Sequence, residues 1–173
     1  STLARRMASI RKFYRHWLQS GRLQIDPTAD IRSPQRIRPL PKAIPEDRIE
    51  ALLNAPDIET PAGIRDRAML ELMYAAGLRV SELVTMPLGQ IHLREKFVQV
   101  LAGKGGKQRL VPMGETAADW LARYLHESRP LLTGGRQLAE AFVNQRGEPL
   151  TRQGFWFIIK QYAVTAGIAR EKL

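Results

Sequence analysis

AAGLRVSELVTMPLGQI, residues 75–91, is the stretch from which the rest of the chain can be read. Gly77 closes the helical pattern leading into it, and a glycine takes up a left-handed C-cap at no steric cost. Ser81 is placed to cap a second short helix, Glu82 to Met86, which Pro87 terminates. Arg79 therefore falls between the end of one helix and the start of the next, better fixed than an ordinary surface arginine. A guanidinium so held can grip two nonbridging oxygens of a phosphate, or it can pair with Glu82 three residues on. The residues alone leave both readings open.

Working back from this stretch, Thr60 caps a longer helix with Pro61 in its first turn and Ile64, Ala68, Leu72 and Ala75 or Ala76 as its apolar stripe. Glu46 to Asn54 reads as a short helix, with Pro45 suited to its first turn. Residues 26–45, DPTADIRSPQRIRPLPKAIP, hold five prolines and almost no periodicity, the composition of an extended linker. Its cations Arg32, Arg36, Arg38 and Lys42 suit it to tracking phosphates as well as to spacing domains. At the front, Leu3, Met7, Ile10, Tyr14 and Trp17 make one helical stripe, with Arg5, Arg6, Arg11, Lys12 and Arg15 on other faces and Gly21 as the stop. One helix cannot bury its own stripe, so this one needs a partner.

Working forward, Phe97–Leu101 and Arg109–Pro112 are β-like runs flanking GKGGK, residues 103–107, and read as a hairpin. Thr116 to Glu127 is an amphipathic helix with Trp120, Leu121, Tyr124 and Leu125 at helical spacing. Ala141–Val143 reads as one more strand, NQRGEP as a turn, and Thr151 to Ala166 as a helix with Phe155, Ile158, Ile159 and Tyr162 inward. The fold class is mainly α with a small antiparallel β-sheet.

A chain of 173 residues holds one domain and a piece. Lys and Arg number 27 against 17 Asp and Glu, and residues 1–45 alone, with ten Lys or Arg and two Asp, carry +8 of the net +10. Such a surplus favours polyanions, nucleic acid before an anionic membrane. The absence of cysteine excludes a disulfide framework and a thiolate metal site. His16, His92 and His126 are scattered, and there is no HExxH, phosphate-binding P-loop or GxSxG, which turns attention to arginine and lysine as electrostatic catalysts. The apolar runs are far shorter than a membrane span and no cleavable signal is visible, so a cytoplasmic protein is expected. An RNA-binding role lacks the aromatic sheet that stacks bases, since the few aromatics fall on helical patterns. The chain begins at Ser1 and stops just after a helical pattern, and both ends read as cut.

Three ordered motifs, AAGLRVSELVTMPLGQI, VLAGKGGKQRLVPMG (100–114) and LTRQGFWFIIKQYAVTAGI (150–168), resemble consecutive motifs of the tyrosine recombinases, specifically their Xer branch. The likeness runs through essentially the whole chain. It implies a DNA strand-exchange enzyme shaped as a C-clamp. Residues 1–25 would be the last helix of the helical DNA-clamping domain, 26–45 the basic linker, and 46–173 the larger part of the catalytic domain. The arginine of the GLRxSE motif binds the scissile phosphate in that family, which places the role on Arg79. The first lysine of its GKGxKxR hairpin, here Lys104, protonates the departing 5′ hydroxyl. Contacts to the duplex are expected of Arg5, Arg11, Arg15, Arg36, Arg38, Lys42, Lys107, Arg109, Arg152 and Gln153. The resemblance implies no metal and no cofactor. Its partners would be a double-stranded recombination site, a XerC-like recombinase in a tetrameric synaptic complex, and a DNA translocase of the division machinery, with no membrane.

In the family an HxxR pair, a further histidine or tryptophan and the nucleophilic tyrosine follow the TRQxFW helix, and they are not among these residues. The 173-residue chain is therefore expected to bind DNA without cutting it, and the rival expectation is a naturally truncated, noncatalytic regulator of recombination. His126 and Arg129 match HxxR as a pattern but end an earlier helix, where cations complement the dipole. Tyr14, Tyr74, Tyr124 and Tyr162, like Trp17, Trp120 and Trp156, fall on apolar helical stripes and read as core. Pro45, where a capping serine or threonine is usual in the Xer pattern, is a minor departure.

Overall fold

The computed structural model describes residues 2–31, 43–101 and 108–168. The chain divides into two compact units, residues 1–41 and 42–173.

In the first unit α1 runs Thr2–Gln19. Met7, Tyr14 and Trp17 are half-buried, while Leu3 and Ile10 remain exposed, so the expected stripe is only partly covered. Residues 26–31 turn and are not extended as the proline count suggests. The Asp26 carboxylate accepts from the Thr28 backbone N–H at 2.8 Å and hydroxyl at 2.7 Å, and Arg11 donates to the Ile31 carbonyl. Aspartate closing a local turn in this way overrides the tendency of the proline that separates the two residues.

The second unit is built on α3, Pro61–Ala76. Thr60 Oγ1 accepts from Gly63 N at 3.0 Å, Pro61 occupies the first turn, and Gly77 closes the helix at φ +57°. Gly63 is demanded by packing, because a Cβ there would lie 1.8 Å from the Asp57 carbonyl oxygen. Ala76, not Ala75, is the buried end of the stripe, and Arg65, Asp66 and Glu71 are buried beside it. Arg65 and Asp66 pair at 2.7 Å, Arg65 also donates to the Val143 carbonyl, and Tyr162 donates to Asp66 Oδ2 at 2.9 Å. Burial pushes the Asp66 carboxyl up while Arg65 and Tyr162 oppose that push.

Before α3, α2 spans Glu46–Asn54 with Pro45 as its N-cap, one place ahead of the expected first turn. Helix α4 is Val80–Val84, and its N-cap is Arg79 rather than Ser81. Glu82 accepts the Arg79 N–H, so the helix starts two residues early and Ser81 lies inside it. A short 3₁₀ turn, Leu88–Gln90, leads into an antiparallel sheet of β1 (Ile91–His92), β2 (Phe97–Leu101) and β3 (Gln108–Pro112) in that order. The register pairs Ile91 with Val98, Phe97 with Pro112 and Leu101 with Gln108. Strand β1 was not anticipated, since two residues carry no period to read. Residues 102–107, GKGGK included, lie outside the described residues.

The expected helix over 116–127 is α5, Gly114–Arg123, continuing through a π-helical turn, Tyr124–Ser128, into α6, Arg129–Thr133. The guanidinium groups of Arg67 and Arg123 lie over the Trp120 ring, 5.0 and 5.4 Å from its centroid. Ala141–Val143 is buried, but the expected strand is not there. Only isolated bridges form, Pro87 with Glu140 and Val143 with Pro149, because Tyr124 and Arg129 side chains take the Ala141 carbonyl. Helix α7, Arg152–Thr165, is capped by Thr151 and buries Phe155, Ile158 and Ile159. Two aromatics expected in the core are exposed, Tyr74 at 57% and Trp156 at 36%, since each falls at the edge of its helix's buried stripe. The architecture is mainly helical with one small three-stranded antiparallel sheet.

Candidate active site and nucleic-acid interface

Gly77 in the left-handed region turns the chain sharply out of α3, and Arg79, in extended conformation at φ −71° and ψ 148°, starts α4. Its guanidinium stands in solvent, 77% exposed, with Nη1 donating to Glu82 Oε1 at 3.0 Å. Among the described residues its Nε and Nη2 have no partner. Glu82 is the hub: its side chain is 11% exposed and also accepts Arg79 N at 2.9 Å, Arg109 Nη1 at 3.0 Å and Arg109 Nη2 at 2.8 Å. These hydrogen bonds, Arg109's foremost, hold the Glu82 carboxyl down to about 2. Two guanidinium groups around one carboxylate leave a net charge of +1.

Of the two readings of Arg79 the structure shows the ion pair with Glu82, which occupies one edge of the guanidinium and leaves the other open. Arg109 sits on β3 with both terminal nitrogens on Glu82. The sequence showed Glu82 only as a rival for Arg79. The contact from β3 follows from the hairpin's register, which no local spacing displays.

Lys104 and Lys107, like Arg36, Arg38 and Lys42, lie outside the described residues. Arg5 and Arg15 are exposed on α1, and Arg11 is half-buried and bonded to the Ile31 carbonyl. Arg152 and Gln153 are exposed in the first turn of α7, on a face shared with Trp156 and Lys160, and α7 packs against α4. Arg129 does not complement a helix end as expected. It donates to the carbonyls of Leu138, Glu140 and Ala141 at 2.9 to 3.0 Å and pins that loop, with His126 exposed nearby in the chain. Tyr124 donates to the Ala141 carbonyl at 2.9 Å, and burial pushes its hydroxyl up to about 12. Burial, with the Asp66 charge, pushes Tyr162 up as well. Among the described residues no group of three or more His, Asp or Glu is arranged to hold a metal, and no helix is long and apolar enough to cross a membrane.

Residues 42–173 match the phage integrase family. The tyrosine recombinase XerD of Xanthomonas axonopodis pv. citri is 52% identical over 171 residues, covering 95% of this chain and 56% of that protein. The XerD of Pseudomonas aeruginosa is 51% identical over 165 residues, covering 95% and 55%. The chain spans about half the length of the curated relatives it matches. Among solved structures, the XerA recombinase superposes with a TM-score of 0.65 at 23% identity, over 90% of this chain and 52% of that one. Lambda integrase residues 75–356 bound to DNA superposes at 0.69 with 18% identity, over 94% and 56%.

Proposed function

The chain belongs to the phage integrase family, within its XerD-like tyrosine recombinases, and from that premise we propose that it carries the phosphate-gripping part of a site-specific DNA strand-exchange enzyme. The reaction attacks a phosphodiester with a tyrosine hydroxyl, stores the bond as a 3′-phosphotyrosine, and releases a 5′ hydroxyl that later attacks the exchanged strand. Charge builds on the nonbridging oxygens and on the leaving oxygen. Arg79 meets the first with its free Nε and Nη2, and Lys104 protonates the second. The half-occupied guanidinium of Arg79, steadied by Glu82 on one edge and open on the other, is the observation that carries this reading.

Neither Tyr124 nor Tyr162 is suited to be the nucleophile. Tyr124 and Tyr162 each spend their hydroxyl proton on an acceptor, and their environments raise the cost of ionising them. Arg5, Arg11, Arg15, Arg36, Arg38, Lys42, Lys107, Arg152 and Gln153 supply duplex contacts, the last two from the exposed start of α7. The whole protein works in the cytoplasm on a recombination site, in a synaptic tetramer that includes a XerC-like recombinase, under a DNA translocase, resolving chromosome or plasmid dimers. A second reading makes the protein a noncatalytic occupant of the site.

A nicked suicide duplex carrying the recombination site, incubated with the full-length gene product, separates the two. The recombinase reading gives a covalent protein–DNA adduct stable to denaturant. Tight binding with no adduct makes the protein a regulator.

A further inference from the structure

We propose that Arg109 is a positioning residue of the cleavage site, acting on Arg79 through Glu82, and is not itself a contact to DNA; the proposal rests on the recombinase reading. Arg109 pairs with Val100 in the sheet, one rung from Leu101 and Gln108, near the start of β3. From there its planar fork meets the planar carboxylate of Glu82 in two parallel bonds of 3.0 and 2.8 Å. A carboxylate offers about four lone-pair positions. Arg109 fills two, and the backbone N–H and Nη1 of Arg79 fill the others.

This arrangement sets the division of labour between the two arginines. Glu82 is nearly shielded from water and must stay charged to hold the start of α4 and one edge of Arg79. Arg109 supplies the cation that makes this possible from a second element, so Arg79 need give only a single side-chain nitrogen. Without Arg109, Glu82 retains one cationic partner, and the favourable bidentate geometry draws Arg79 onto the carboxylate and off the phosphate. With both terminal nitrogens occupied, Arg109 has little left with which to grip a phosphate oxygen. Strands β2 and β3 pair in the sheet, so the same bond also registers β3 to α4.

The test uses the full-length gene product, the nicked suicide duplex, and Arg109→Gln, Arg109→Lys, Glu82→Gln and the double variant Glu82→Gln with Arg109→Gln. Arg109→Gln should slow adduct formation at least about tenfold, while site affinity stays within about twofold and its salt slope is unchanged. Unchanged affinity also shows that the variant is folded. Arg109→Lys should fail to restore the rate, because a point charge does not replace the fork. The double variant should be no slower than the slower single variant, since both break one unit. Wild-type rates in Arg109→Gln, a rate restored by lysine, additive losses, or weaker binding with a salt slope smaller by about one would each overturn the proposal and leave the recombinase reading standing. A wild-type protein that forms no adduct would overturn that reading and the proposal with it.

Discussion

Replacing Glu82 by glutamine removes the charge but keeps the shape, and the cost can be worked from the geometry. The carboxyl is held from 4.5 down to about 2. Each tenfold change in a protonation equilibrium is about 1.4 kcal/mol, so the site as a whole favours the charged form by at most about 3.5 kcal/mol. Water around Arg79, 77% exposed, and Arg109, 40% exposed, screens part of this and leaves about 1 to 2 kcal/mol. In a unit of this size that lowers the melting temperature by about 3 to 8 °C near neutral pH. The folded carboxyl lies below its unfolded value, so its stabilisation is fully present above about pH 4.5 and is lost as pH falls toward 2. Urea unfolding followed by circular dichroism should therefore show a constant gap between wild type and Glu82→Gln from about pH 7 to 5, shrinking below about pH 4.5. A gap that stays the same down to about pH 3 would show that the carboxylate charge contributes nothing and refute the hub.

Lys104→Ala should slow cleavage of an ordinary duplex by about 10² to 10⁴, and a substrate with sulfur as the bridging leaving atom should recover most of that rate, because a thiolate leaves without a proton. Equal losses on both substrates would remove Lys104 from the acid role. Neutralising Arg36 and Arg38 together should lower the salt slope of DNA binding by about two, as read from affinities at several salt concentrations. An unchanged slope makes the linker a spacer. Tyr162→Phe should cost about 1 kcal/mol in urea unfolding, by leaving the buried Asp66 with one donor fewer, and should leave adduct formation intact. Loss of the adduct with stability unchanged would make Tyr162 part of the chemistry.

Much of the helical plan was legible because its signals are local. Thr60 and Pro61 before a stripe, and Gly77 after it, fix α3 within a few residues, and the alternation in FVQVL and QRLVP fixes a hairpin. What escaped depends on distant partners. Ser81 has the right chemistry for a cap, yet Glu82 reaches the Arg79 N–H first, and the buried carboxylate is then stabilised from β3 by a residue 27 positions away. Asp26 and Thr28 form a turn inside a stretch whose prolines argue for extension. Ala141–Val143 has strand composition, but the Ala141 and Val143 carbonyls are taken by side chains and the Ala141 N–H donates to the Met86 carbonyl, so no ladder develops. Arg79 as a candidate phosphate ligand could be proposed from its place between two helices and from family likeness. The second arginine on its carboxylate could not.

The central claim is that Arg79 answers negative charge on the nonbridging oxygens of the scissile phosphate. The most direct measurement compares adduct formation by wild type and Arg79→Ala on two suicide duplexes, one ordinary and one with a neutral methylphosphonate at the scissile position. On the ordinary duplex the account predicts a rate ratio of about 10² to 10³, with site affinity little changed. On the neutral duplex, where there is no anionic oxygen to hold, the ratio should collapse toward one. A ratio equally large on both duplexes would mean that Arg79 serves the site in some way other than holding that charge.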